Sequence, residues 1–140
     1  MIRGYLSRGA VRRPFVSARF RIPSLDNRLF PVELLVDTGA DRTLLSPVDA
    51  RRMQIDVTAL PQGSPSIGVG GQSLTRTIET TLILQDFSIP LTLSIPETPR
   101  PIPSLLGRDV LSRFALFMEE RTSRVFLLEP HEAQALDLPL

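Results

Sequence analysis

Apolar and polar residues alternate along much of this chain with the two-residue period of β-strands. The clearest case is Phe87-Ser88-Ile89-Pro90-Leu91-Thr92-Leu93-Ser94-Ile95, in which every odd-numbered position is apolar. Pro90 has no N–H to give to a ladder, which predicts an edge strand or a locally one-sided one. Ile78 to Leu84 is expected to pair with it across a short turn at Gln85-Asp86. Phe15 to Ile22 alternates over part of its length and runs into turn chemistry at Leu25-Asp26-Asn27-Arg28. Val32 to Val36 is a mostly continuous apolar run, the pattern of a strand buried on both faces. Phe114 to Met118 and Val125 to Leu128 predict a last hairpin across Glu119 to Arg124.

Helix signals are few. Ser46-Pro47-Val48-Asp49 places a capping serine, a proline at the first helical position and an acid at the third, so one or two turns should follow through Met53. Gly107 to Arg113 predicts another short helix, with Asp109 in its first turn, where negative charge suits the helix dipole. Pro96, Pro99, Pro101 and Pro103 make the segment between them an extended, stiff loop. The expectation is an all-β domain with one or two short helices over residues 15–129. A basic N-terminal arm (1–14), solvated and mobile, precedes it, and a C-terminal tail (130–140) follows.

Composition narrows the chemistry. A chain of 140 residues with 42% apolar content can bury a real core in one domain. It has no cysteine, which removes disulfides, thiol catalysis and thiolate metal sites, and its single histidine, His131, removes a multi-histidine zinc site. A formal net charge of +1 creates no overall field towards nucleic acid or membrane. All 16 basic residues are arginine, six of them within the first 21 positions, so nucleic-acid binding through the arm is a minor reading. No secretory signal and no run of about 20 apolar residues is evident, which points to a cytoplasmic protein without a membrane span.

The chemically informative stretch is Leu34-Leu35-Val36-Asp37-Thr38-Gly39-Ala40-Asp41. An Asp-Thr-Gly triplet alone is weak, with roughly a 3% chance of arising in a chain of this size from average residue usage. Its setting is the stronger signal, because Asp37 ends an apolar strand, where an ionised carboxylate is costly unless paired or hydrogen-bonded. Thr38 adds a hydroxyl, and Gly39 permits a sharp turn that brings backbone N–H groups to the carboxylate. A bland reading of the triplet is an aspartate capping a strand-to-turn transition. Ile67-Gly68-Val69-Gly70-Gly71-Gln72 reads as a flexible hairpin tip; its spacing is not that of a phosphate loop, and no helix follows. Ser104-Leu105-Leu106-Gly107-Arg108-Asp109 is an apolar pair running through glycine into a short helix.

Taken in order, these three segments resemble the retropepsins, the single-domain aspartic proteases of retroviral type and their bacterial relatives. The glycine-rich hairpin follows the aspartate by about 30 residues and the Leu-Leu-Gly-Arg segment by about 70, and the resemblance spans roughly Phe15 to Leu128. It implies a closed β-barrel of the acid-protease type, active as a C2 homodimer on peptide or protein substrates, with no cofactor and no metal. By position, the resemblance makes Asp37 the catalytic aspartate and Thr38 the hydrogen-bonded grip between the catalytic loops of two subunits. Gly39 and Asp41 match positions that hydrogen-bond the substrate backbone, with Ala40 and Arg42 beside them, and Arg108 matches an arginine that pairs with Asp41. Ile67, Gly68, Val69 and Gly70 fall in the flap, and Pro103 and Leu105 fall where side-chain pockets are lined.

The mechanism implied needs two carboxylates sharing one proton, and this chain has one such triplet, so a twofold axis must supply the second. Ala40 cannot donate to the carboxylate as a serine or threonine would, which predicts activity extending from mildly acidic towards neutral pH. Two departures stand out: Arg42 occupies a position that is acidic in several viral enzymes, and the chain continues past the helix into the last hairpin. Viral members end sooner and build their dimer sheet from both termini. The alternative reading is a catalytically silent dimerising, peptide-binding module of the same fold. A serine hydrolase fails on residues, having no G-x-S-x-G and only His131 as a base.

Overall fold

The computed structural model describes residues 1–68 and 71–139. In chain order the strands of the first half are β1 (Ile2–Arg3), β2 (Tyr5–Leu6), β3 (Pro14–Ile22) and β4 (Arg28–Val36), followed by helix α1 (Pro47–Arg52). Next come β5 (Ser66–Gly68), β6 (Gly71–Ser73), β7 (Thr75–Leu84), β8 (Phe87–Pro96) and β9 (Leu105–Leu106). Helix α2 (Arg108–Leu111), β10 (Ala115–Glu119), β11 (Arg124–Leu128) and α3 (Pro130–Gln134) complete the chain. None of these helices is long and apolar enough to cross a membrane.

The main sheet runs β8-β7-β3-β4-β9, with β2 added on β3. Leu44 closes it. This residue bridges antiparallel to Leu105 of β9 and parallel to Ser94 of β8, so the two ends of the sheet meet through one residue. The closure is hydrogen-bonded on both sides, Leu44 N–H to the Leu105 carbonyl (3.0 Å) and Leu45 N–H to the Ser94 carbonyl (2.8 Å). The expected all-β, acid-protease-type sheet is therefore present as a curled half-barrel whose two ends are bridged at Leu44. Its core comes from the inward positions of each strand, including Val16, Phe20 and Ile22 of β3, Val32 and Leu34 of β4, Leu82 and Leu84 of β7, and Leu93 and Ile95 of β8. Burying each large apolar side chain contributes about 1.5–3 kcal/mol.

Local chemistry sets the element ends. Ser46 caps α1 by accepting from the Asp49 N–H (3.1 Å), with Pro47 in the first turn, as the sequence predicts. The β7–β8 hairpin turns at Gln85-Asp86, and Gln85 takes the left-handed conformation (φ 50°). β8 is an edge of the main sheet, consistent with Pro90 in its middle. One strand differs from expectation. β4 is buried on one face only, because Glu33 is exposed and Leu35 half-buried while Val32, Leu34 and Val36 are buried.

The N-terminal segment is also not a solvated arm throughout. Ile2, only 1% exposed, pairs with Leu127, and the resulting second sheet has the order β1-β11-β10. Tyr5 pairs with Phe15, stacks on its ring (5.8 Å), and donates to Glu33 Oε2 (3.0 Å). Partial burial and the Glu33 carboxylate push the Tyr5 phenol up to about 12. The arginine-rich pattern hid these strands because each is two residues long, too short to show a period. The tail likewise opens with a helix, α3, whose capping box joins Glu129 and Glu132.

Candidate active site

β4 and β9 lie parallel, Leu35 opposite Leu105 and Val36 opposite Leu106, and together carry the chain to Asp37. The Asp37 N–H donates to the Leu106 carbonyl (3.1 Å), which anchors the residue to the barrel floor. Beyond it the chain turns sharply. Asp37 Oδ1 accepts from the Gly39 N–H (3.0 Å), and the Ala40 N–H donates to the Asp37 carbonyl (3.2 Å). A Cβ on Gly39 would sit 3.3 Å from Asp37 Oδ1, so the absence of a side chain is what leaves this approach unstrained. Asp37 is half-buried, while Thr38, Gly39, Asp41 and Arg42 are exposed and Ala40 is half-buried. The carboxylate thus stands at an open loop on a rigid floor, oriented by backbone.

A second segment braces this loop. Gly107 packs directly beneath it, and a Cβ there would lie 2.4 Å from the Arg42 carbonyl carbon and 2.8 Å from the Thr43 nitrogen. The Arg108 N–H donates to the Ala40 carbonyl (2.8 Å) and the Asp109 N–H to the Asp41 carbonyl (3.1 Å). Asp109 turns its carboxylate back to the loop, accepting from the Thr43 N–H (3.0 Å) and the Thr43 hydroxyl (2.7 Å). Thr43 Oγ1 in turn accepts from the Gly107 N–H (3.2 Å), in a site where Thr43 is fully buried.

Among the described residues no ion pair joins Arg108 to Asp41; both side chains are exposed, and the two segments are tied by main chain and by Asp109 instead. Thr43 and Asp109 are structural members of the site that local patterns do not reveal, since they meet across 66 positions. Ser104 is another. Buried between the half-buried Pro103 and Leu105, it accepts from the Ser46 N–H (2.9 Å) and donates to Asp49 Oδ2 (2.6 Å), locking β9 to the start of α1.

Arg42 and Asp109 also line a cavity of about 380 Å³ with Ile89, Pro90, Leu91 and Thr92 of β8; Asp37 is not among its lining residues. The segment expected to form a flap is an antiparallel pair, β5 with β6, in which Ile67 faces Gln72 and Gly68 faces Gly71. Val69 and Gly70, singled out for the same role, lie outside the described residues. Among the described residues one group of metal-ligand types comes together, Glu129, His131 and Glu132. Glu132 Oε1 is already engaged there by the Glu129 N–H (2.9 Å) and the Met1 ammonium (2.9 Å).

Residues 24–113 match the sequence model of a family described as "gag-polyprotein putative aspartyl protease". Among solved structures, the chain is similar to the EIAV protease complexed with the inhibitor HBY-793, at 25% identity and a TM-score of 0.57, covering 76% of this chain and 91% of that one. It is also similar in fold to a retropepsin-like aspartic protease from Rickettsia conorii, at 19% identity and a TM-score of 0.60, covering 81% of this chain and 89% of that one. No curated protein sequence matches the chain significantly.

Proposed function

The chain belongs to the retropepsin-like aspartyl protease family, and from that membership we propose that it is an endopeptidase whose active centre forms between two copies, each contributing Asp37. The observation that carries this reading is the Asp37 loop itself: a carboxylate at the end of a buried strand, oriented by the Gly39 N–H at 3.0 Å, with an exposed tip. One carboxylate cannot both activate water and polarise a carbonyl. Two held about 3 Å apart share a single proton, because like charges at that distance cannot both ionise. The ionised member takes a proton from water as its oxygen attacks the scissile carbonyl carbon, and the protonated member donates to the carbonyl oxygen. Collapse of the tetrahedral species breaks the C–N bond, and the departing nitrogen takes up a proton from the dyad.

In this reading Thr38 grips its twofold copy, and the exposed Gly39 and Asp41 hydrogen-bond an extended peptide that adds as a strand. Ala40, Arg42, Pro103 and Leu105 border the side chains of that peptide. The β5–β6 hairpin, with Ile67, Gly68, Val69 and Gly70, closes over it and excludes water. No metal or cofactor has a role in these steps.

The test compares wild type with Asp37→Asn on a peptide library while protein concentration is varied. Cleavage by wild type alone, with specific activity falling on dilution, is the expected result. Equal cleavage by both proteins refutes the role of Asp37, and flat specific activity in a demonstrably monomeric sample refutes the shared centre. Peptide binding without cleavage by wild type would identify a silent binding module.

A further inference from the structure

The two faces of the second sheet, β1-β11-β10, differ in chemistry. Ile2, Val125 and Leu127 point to the core and are buried, whereas Arg3, Phe117, Glu119, Arg124 and Phe126 share the opposite face. On that outer face Arg3 lies over the Phe126 ring (6.0 Å), Phe126 stacks on Phe117 (5.8 Å), and Arg124 lies over Phe117 (5.4 Å). Both rings are half-buried, and both arginines are exposed. The loop between β2 and β3 adds to the same corner. Arg12 reaches from it to the β10–β11 turn, donating to Ser123 Oγ (2.6 Å) and to the Glu120 carbonyl (2.5 Å). Arg121 stands on that turn with its side chain 83% exposed. Residues 1–13 and 115–128, which build this corner, hold six arginines and two glutamates, a net charge of +4. The whole chain carries +1, so all other segments together carry −3. Among the described residues the only carboxylate in ion-pair reach of Arg3, Arg12, Arg121 or Arg124 is Glu119, shared by Arg121 (3.3 Å) and Arg124 (3.4 Å). The acids of α3 follow the other end of β11, where Glu132 takes the Met1 ammonium (2.9 Å).

We propose that this face and corner bind single-stranded nucleic acid, at a site distinct from the Asp37 loop and independent of the protease reading. Charge complementarity calls for a polyanion. Arg3, Arg12, Arg121 and Arg124 come from three segments, and each can meet a phosphate of one strand, whose oxygens fit the guanidinium fork. The contacts of Arg12 are what join arm and hairpin into one surface, since a chain of net charge +1 has no overall field to attract a polyanion. The aromatic pair then selects among polyanions. Phe117 and Phe126, inclined by 24° to one another, make a platform flanked by guanidinium planes, and splayed-out bases stack on both kinds of surface. A duplex keeps its bases paired inside the helix and would use the arginines alone. An anionic lipid surface is met by protruding apolar side chains, and those of this sheet, Leu116 and Met118, lie on its other face. Stacking reads no base edge, so the strand is bound with little regard to sequence.

The experiment titrates the full chain into a fluorescein-labelled oligothymidine of about 12 nucleotides and follows anisotropy as salt is raised. Four phosphate contacts on a single strand predict a slope of log K against log salt of about −3, a weakening of about 50-fold between 50 and 200 mM salt. Arg121→Gln should make that slope shallower by about 0.7, and Arg121→Glu should weaken binding about 10-fold or more. Phe117→Leu keeps an apolar side chain but removes the platform, so affinity should fall about 10-fold with the slope unchanged. Circular dichroism verifies that each variant is folded, and Arg121, on an exposed turn, can be replaced without touching the core. Absence of salt-sensitive binding by the wild type overturns the proposal. Binding that Arg121→Glu leaves intact places the strand elsewhere and overturns the site. A duplex of equal length bound as tightly as the single strand, with Phe117→Leu harmless, overturns the stacking platform. Binding to phosphatidylserine vesicles without binding to the oligonucleotide assigns the corner to lipid headgroups and overturns the nucleic-acid occupant.

Discussion

Replacing Gly107 by alanine adds one methyl group in the most confined backbone crossing of the site. The backbone there, φ −94° and ψ −176°, is open to any residue, so the cost is packing and not conformation. The new Cβ would lie 2.4 Å from the Arg42 carbonyl carbon, 2.5 Å from its oxygen and 2.8 Å from the Thr43 nitrogen. Ordinary contacts begin near 3.4 Å, so the two segments must separate by about 1 Å, and neither is a side chain that can swing away. Overpacking of this kind costs about 1–3 kcal/mol. The separation also stretches the bonds from Arg108 N–H to Ala40 and from Asp109 N–H to Asp41, each worth about 0.5–1.5 kcal/mol. A total near 4 kcal/mol corresponds to a fall in melting temperature of about 10 °C or more for a domain of this size. Because Ala40 to Arg42 carry the far side of the Asp37 turn, displacement by about 1 Å should also lower kcat/KM roughly 100-fold at temperatures where the variant remains folded. Thermal unfolding by circular dichroism and a peptide-cleavage assay measure the two effects. A melting temperature within about 2 °C of wild type would refute the argument, since no relaxation of two bonded backbone segments is that inexpensive.

Thr43→Val keeps the shape of a fully buried side chain but removes the donor to Asp109 and the acceptor of the Gly107 N–H. Denaturant unfolding should show a loss of about 2 kcal/mol, the cost of leaving buried partners unmet, and Thr43→Ser should lose less despite its missing methyl. Equal losses for the two variants would mean that the hydroxyl contributes nothing. Tyr5 is the only tyrosine in a chain without tryptophan, so its phenolate absorbance can be titrated cleanly. The folded protein should titrate near 12, against 10.0 for the free phenol, and Glu33→Gln should lower the midpoint. Since the folded value is the raised one, the stabilisation from this contact is complete below pH 10 and fades as pH rises towards 12. A midpoint at the ordinary value would show that β2 does not dock on β3.

Much of this protein was legible in order along the chain. Strict alternation in Phe87 to Ile95 marked β8, Pro90 marked it as an edge, and Ser46-Pro47 marked the start of α1 to the residue. These features depend on neighbours a few positions apart, where pleat, proline ring and cap act directly. The Asp-Thr-Gly turn was legible for the same reason, because Gly39 reaches the Asp37 carboxylate within two residues. Three ordered motifs then carried the family.

Tertiary structure decided what distant residues do to one another. Val32 to Val36 reads as doubly buried, yet packing covers one face only, and Glu33 on the other face binds Tyr5 and Ser17. Ile2 and Leu6 sit in a run that reads as a charged arm, and the partners that order them are Leu127, 125 positions away by number, and Pro14 across a loop. The resemblance pairs Arg108 with Asp41, while the tie between these segments that distant residues make in the fold is that of Asp109 to Thr43. The chain order of residues thus determined the strands and the turn that presents Asp37. The bridge between the sheet ends at Leu44, the brace under the Asp37 loop, and the pairing of β1 with β11 arise only once remote segments are brought within hydrogen-bonding distance. No local period encodes those contacts.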